Sequence, residues 1–141
     1  MIVVLVDSSI WIEAARREGD VMCKVALEAL LDVFEATWCS TVKFEVIGRA
    51  GLREREPLEF FFENISYRQI EEQDWNRAVE LSWKMKDAGF IVPLPDLLIA
   101  ALSVREGCRV YAKDKHFDAM REVIGIRLYQ PGYGGRYEPD T

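Results

Sequence analysis

A chain of 141 residues, half of them hydrophobic and 30% charged, has the profile of one ordinary globular domain, long enough to bury a core. Its formal net charge of −6 excludes a protein that grips nucleic acid through a broad basic field. Any phosphate it meets must be met by a metal and by local cations instead.

Taken in order, residues 2 to 6 (IVVLV) form a continuous, mostly β-branched run, the pattern of a strand buried on both faces in a parallel sheet. The run is too short for a signal peptide or a membrane span. Ser8 or Ser9 is placed to cap a helix reaching about Arg17. Gly19-Asp20 breaks the chain before VMCKVALEALLD, which repeats apolar residues at helical spacing. EATWC reads as a short strand, and Ser40 caps a helix containing Glu45. GLREREP reads as a loop, or a weak helix ended before Pro57; PLEFFFENI is a short helix and SYRQI a strand. EEQDWNRAVELSWKMKDAGF is a long amphipathic helix with acids in front and lysines behind, stopped at Gly89.

Prolines 93 and 95 hold IVPLPD extended. Pro95, at a first helical position, opens an apolar helix from Asp96 to about Glu106, capped by Gly107. CRVYA is then a strand, KHFDAMREV a helix and IRLYQ a closing strand. Residues 1–130 make one domain, and 131–141 a loose tail. Strands alternating with helices imply an α/β sandwich on a mainly parallel sheet, whose ligands collect beyond the carboxyl ends of the strands.

Four acids stand where elements end or begin: Asp7 after the first strand, Glu45 within its helix, Asp96 opening the apolar helix, and Asp114 after CRVYA. Each alone has a structural reading. Asp7 can cap a helix, Glu45 can pair with Arg49, Asp96 can favour a helix N-terminus, and Asp114 can be a turn residue. Gathered at one edge, they would repel one another and cost desolvation unless a hard divalent cation sat among them. The basic clusters (Arg16-Arg17, Arg49 with Arg53 and Arg55, Lys113 with Lys115) read as solvated faces. Trp11 and the Phe60-Phe61-Phe62 run read chiefly as core, with any exposed part available to a partner. Cys23, Cys39 and Cys108 have neither metal-ligand spacing nor the even count of a disulfide framework, which suits a reducing cytoplasm. No Cys-His or Ser-His pair suggests covalent catalysis, and the glycines from Gly132 to Gly135 lack the strand-then-helix context of a phosphate loop.

VDSS at 6–9, the Glu45 helix, PDLLIAAL at 95–102 and YAKDKHF at 111–117 resemble the four acidic motifs of PIN domains. The likeness is closest to the VapC-type toxins of bacterial and archaeal toxin–antitoxin pairs, and it covers essentially the whole chain. It implies a three-layer α/β/α sandwich on a five-stranded parallel sheet. It also implies Mg²⁺- or Mn²⁺-dependent cleavage of RNA, a homodimer, and neutralisation by a small antitoxin that places a basic side chain in the acidic pocket. Carried over residue by residue, it makes Asp7, Glu45, Asp96 and Asp114 the metal-site acids and Ser9 a supporting hydroxyl. Asp7, Asp96 and Asp114 would hold metal directly or through water; Glu45 is either a ligand or the group that orients the attacking water. One metal and two are equally compatible with these residues.

The sequence departs from the family in its last motif. Ala112 stands where Thr is frequent, and His116 where an acid often precedes Phe117. Asp118 is close enough to act in that acid's place, directly or through water; His116 is either a donor behind the metal ligands or a phosphate contact, or else, as lone histidines more often are, a solvated loop residue. Two rival readings remain: a catalytically weak PIN-like module that binds RNA or protein without cutting, and a phosphoacceptor domain. The second is disfavoured because Asp7-Ser8-Ser9 replaces the Asp-x-Asp of the dehalogenase type.

Overall fold

The computed structural model describes residues 3–132; most of the tail expected to be loose, residues 133–141, lies outside them. Four strands, β1 (Val4–Val6), β2 (Ala36–Cys39), β3 (Ser66–Arg68) and β4 (Arg109–Tyr111), form a sheet in the order β3-β2-β1-β4. Every pairing is parallel, with Val4 opposite both Ala36 and Arg109, and Thr37 opposite Ser66. Helices flank the sheet in a three-layer α/β/α arrangement: α1 (Ser8–Ala15), α2 (Val21–Asp32), α3 (Ser40–Val42), α4 (Leu52–Phe62), α5 (Glu72–Asp87), α6 (Leu94–Glu106) and α7 (Lys115–Ile124). The apolar run at the N-terminus is explained by position. Residues 4, 5 and 6 are fully buried because β1 is central, with neighbours on both edges and helices on both faces.

The closing segment IRLYQ forms no fifth strand. It touches the sheet through one parallel bridge, Val110 to Leu128, in which the Val110 N–H donates to Arg127 O (2.9 Å) and the Tyr129 N–H donates to Val110 O (2.8 Å). Two bonds are too few for a ladder. What seats the segment is burial of Ile126 and Tyr129.

Helix α3 starts at Ser40 itself, with Cys39 as its N-cap, and α6 starts at Leu94 with Pro93 as its N-cap, two residues before the opening expected at Asp96. Boundaries differ in three further places for local reasons. Asp7, not a serine, caps α1: its carboxylate accepts from the Ser9 N–H at 3.1 Å. Residues 52 to 62 form one helix through Pro57, where a break was expected. Pro57 sits in the second turn, so its missing N–H deprives only the carbonyl of Arg53, in a first turn wholly open to water. Burial of Phe62 against Trp11 and Trp38 (ring centroids 5.0 and 4.4 Å) outweighs that loss. Trp11 is likewise core, whereas Phe60 and Phe61 remain exposed. Thirdly, α3 runs on into a π-helical turn, Lys43–Ile47, closed by Gly48 N–H to Lys43 O at 3.0 Å. A Cβ on Gly48 would collide with the Phe44 carbonyl, so the turn requires glycine there.

Helix α6 crosses the interior. Seven successive residues, Leu97 to Ser103, are buried, which is why its sequence is apolar all round. Its exit is set by Gly107 in the left-handed region (φ 65°). Its far end is clasped to the start of α5: the Arg105 guanidinium donates to both oxygens of Asp74 (2.8 and 3.0 Å) and to Gln69 O (2.9 Å). Asp74, 1% exposed, also accepts from the Glu71 N–H in a capping box. Arg105→Ala would strand a buried carboxylate, and should lower unfolding free energy by about 2–4 kcal/mol in urea titrations. Arg105→Lys, lacking the planar fork, should recover only part of that loss.

Candidate active site

The site assembles at the carboxyl ends of β1 and β4. One residue past the strand, the Asp7 N–H still donates to Tyr111 O at 2.9 Å, so the parallel register carries Asp7 to the sheet edge. Next door, the Lys113 N–H donates to Ser9 Oγ at 3.0 Å. The Ser9 hydroxyl therefore ties the loop after β1 to the loop after β4. Asp114 caps α7, its Oδ1 accepting from the His116 N–H at 2.9 Å. Asp96 lies in the first turn of α6, started by the prolines. Glu45 comes from the π-turn, and its Oε1 accepts from Ser8 Oγ at 3.2 Å. Single π-turns inside helices are frequent at functional sites.

The four acids share one field. Asp7 is 4% exposed, and burial raises its pKa; hydrogen bonds from Ser9 and Ser8 work against that, and the charge of Asp114 adds to it. Asp96 is pushed from the usual 3.8 up to about 7, chiefly by burial, then by the charges of Asp7 and Asp114, with Glu45 contributing in the same direction. His116 acts the other way.

His116 is not a solvated loop side chain. It sits in the first turn of α7 with Nδ1 3.1 Å from Asp96 Oδ2 and 2.8 Å from Asp114 Oδ1. One donor atom each from Asp96, Asp114 and His116 lies within 4.8 Å of the others, the grouping among the described residues that is spaced to hold a metal ion. Asp118 is outside that grouping. Its carboxylate is largely exposed, 4.0 Å from the Arg121 guanidinium. The Arg49 guanidinium lies over the ring of Phe44 (5.8 Å). Ser8, expected only as a helix cap, is the residue that reaches Glu45. Its signal in the sequence was the doubled serine after Asp7, and that of His116 was its place two residues after Asp114.

Oxygen donors from several carboxylates, one of them pushed up to about 7 by burial and then by its neighbours' charges, suit a divalent cation. Such an ion would supply countercharge between Asp96, Asp114 and His116, with Asp7 and Glu45 in the same field.

A family model described as PIN domain matches residues 4–123. The chain belongs to the PIN domain family. Among curated PIN relatives, Ribonuclease VapC11 of Mycobacterium tuberculosis is 25% identical over 129 residues, spanning 88% of this chain and 96% of the relative. Among solved structures, VapBC2 from Rickettsia felis, bound to a DNA fragment from its promoter, superposes with TM-score 0.72 at 17% identity, covering 90% of this chain and 97% of that one. VapC20 of M. tuberculosis, described as a sarcin-ricin loop cleaving toxin, gives 0.63 at 20% identity over 88% and 98%. At such identities the superpositions speak for the shared PIN fold.

The Asp96 environment has a consequence for stability in metal-free buffer. Unfolded, its carboxyl ionises near 3.8; folded, near 7. Between these values the folded protein keeps a proton that the unfolded chain has released, so stability should fall as pH rises from about 4 to about 7. Asp96→Asn should flatten that slope, leaving the part contributed by Asp7, whose pKa burial also raises. In EDTA at pH 7.5 it should raise stability by on the order of 1–2 kcal/mol, after allowing for solvent screening at the open side of the site. Thermal melts of both proteins across that range test the sign.

Proposed function

We propose that the protein is a Mg²⁺- or Mn²⁺-dependent endoribonuclease that hydrolyses RNA phosphodiesters, the toxin of a VapBC-type toxin–antitoxin pair. The observation that carries this reading is the convergence of Asp7, Glu45, Asp96 and Asp114 on one edge of the parallel sheet, with Asp96 pushed up to about 7 by burial and then by its neighbours' charges. The VapC likeness over nearly the full chain supports it. Residues 1–130 serve as the catalytic domain. Three buried free cysteines fit a reducing cytoplasm, and among the described residues no helix is long and apolar enough to cross a membrane.

Asp7, Asp96 and Asp114 hold the ion, directly or through water, and Ser9 keeps Asp7 and the Asp114 loop in register through its two hydrogen bonds. Bound there, a divalent cation supplies Lewis-acid charge to the phosphodiester and makes water a better nucleophile near neutral pH. Glu45, steadied by Ser8, ligates the ion or orients the attacking water for in-line displacement. A net-acidic protein needs that cation to approach RNA at all. Purified protein should cut total host RNA with Mn²⁺ or Mg²⁺ and lose the activity in EDTA. Asp7→Asn should lower the rate at least 100-fold with the fold retained. Ala112, in the place of a frequent threonine, favours the second reading, a PIN-like module that binds RNA or protein without cutting. Binding without metal-dependent cleavage in the same assay would select it.

The partners have distinct surfaces. A groove of about 970 Å³ runs between α1, α2, the π-turn and α4, with Leu27, Leu31, Val46, Leu58 and Phe61 on its walls and Glu45 at its rim. An antitoxin segment with an apolar face fits it, and from there a basic side chain can enter the acidic site past Glu45. The homodimer is assigned to the adjoining face, which meets that groove at Glu45 and Arg49. Trp75, Val79 and Trp83 repeat every four residues along α5 and are 44%, 48% and 62% exposed, beside Phe44 and Leu94, which share a cavity with Trp75. Trp83→Glu should convert a dimer to a folded monomer by light scattering.

A further inference from the structure

We propose that His116 supplies an imidazole nitrogen to the cation held by Asp96 and Asp114, making a mixed site that prefers Mn²⁺ to Mg²⁺. This rests on the metal-dependent reading of the same site and goes beyond it in naming a ligand and an ion preference.

The geometry is local and specific. Two donor atoms on adjacent corners of a six-coordinate ion, each about 2.1 Å from it, stand roughly 3 Å apart. His116 Nδ1 stands 3.1 Å from Asp96 Oδ2 and 2.8 Å from Asp114 Oδ1. The side chain is steered there by the backbone. The Asp114 carboxylate accepts from the His116 N–H, while Phe117 and Met120, both buried, fasten α7 to the core. The nitrogen thus faces the place where the carboxylates most need positive charge, and it occupies the corner that an oxygen donor would otherwise take.

Chemistry then sets the preference. Mg²⁺ takes oxygen donors and gives up water reluctantly. Mn²⁺ also suits oxygen donors, but as a first-row transition ion it gains more than Mg²⁺ from an imidazole nitrogen, so the nitrogen shifts the balance between these two ions. The competing view is that protonated His116 is simply a countercharge to Asp96 and Asp114, in which case a bound cation would displace it rather than use it.

The single histidine in the chain makes the test direct, because in untagged protein any imidazole nitrogen coupled to Mn²⁺ belongs to His116. Mn²⁺ is bound to the full-length protein and read by pulsed electron paramagnetic resonance, and Mn²⁺ and Mg²⁺ affinities are measured by calorimetry. Wild type should show ¹⁴N coupling of a directly ligated imidazole. His116→Gln should lose it, and its Mn²⁺-to-Mg²⁺ affinity ratio should fall about tenfold. His116→Asp, which restores an all-oxygen site, should bind Mg²⁺ more tightly than wild type. Mn²⁺ that binds wild type without nitrogen coupling, yet is lost in Asp96→Asn, would overturn the role of His116 and leave the metal site standing. Absence of any Mn²⁺ binding would overturn both.

Discussion

Parallel pairing of β1 with β4 forces Asp7 and Asp114 to emerge side by side, and the consequences of that proximity organise this end of the molecule. Like charges at the end of a buried strand are costly, and here a third carboxylate, Asp96, is brought in from the first turn of α6. Burial first, and then the charges of Asp7 and Asp114, push its carboxyl up to about 7. The surrounding hydrogen bonds then read as devices that hold the acids in place despite the repulsion. Ser9 links both loops, Ser8 reaches Glu45, and Asp114 is locked as a helix cap. A site strained in this way is complementary to a cation and poorly tuned to being without one.

The rest of the fold supplies the rigidity that such a site needs. Helix α6 is buried along most of its length, so Asp96 at its start can shift only if the core shifts. The Arg105–Asp74 clasp fixes the opposite end of that helix to α5. Trp11 adds a further tie, its indole N–H donating to Val6 O at 3.1 Å and pinning α1 to the end of β1. Glu45 alone among the four acids comes from a π-turn, in which none of the five residues is buried.

The elements that were legible in the sequence are those whose signals are local. The β-branched run of β1, the acid-to-lysine gradient of α5, the prolines at the start of α6 and the glycine after it each act within a few residues, and each element formed close to its expected place, α6 opening at Leu94 rather than Asp96. The misreadings share one origin. Pro57 is a breaker by local rule, but burial of Phe62 and its aromatic neighbours carries the helix through it. IRLYQ has strand composition, yet whether it pairs depends on what lies beyond β4, and only one bridge forms. The expectation for His116 failed in the same manner: a lone histidine in a polar stretch carries no sign of the aspartate twenty residues earlier that it meets.

By itself the sequence determined the alternation of strands and helices, the order of the four acids and their place at element ends, because strand burial, capping and proline stiffness are short-range effects. Tertiary structure alone decided which of those acids share a field, that Ser8 serves Glu45, that Asp118 pairs with Arg121 on the outside, and that His116 points between Asp96 and Asp114. Charge repulsion and ligand geometry depend on distances of a few ångströms between residues far apart in the chain. Those distances exist only once β4 has paired with β1 and α6 has crossed the core.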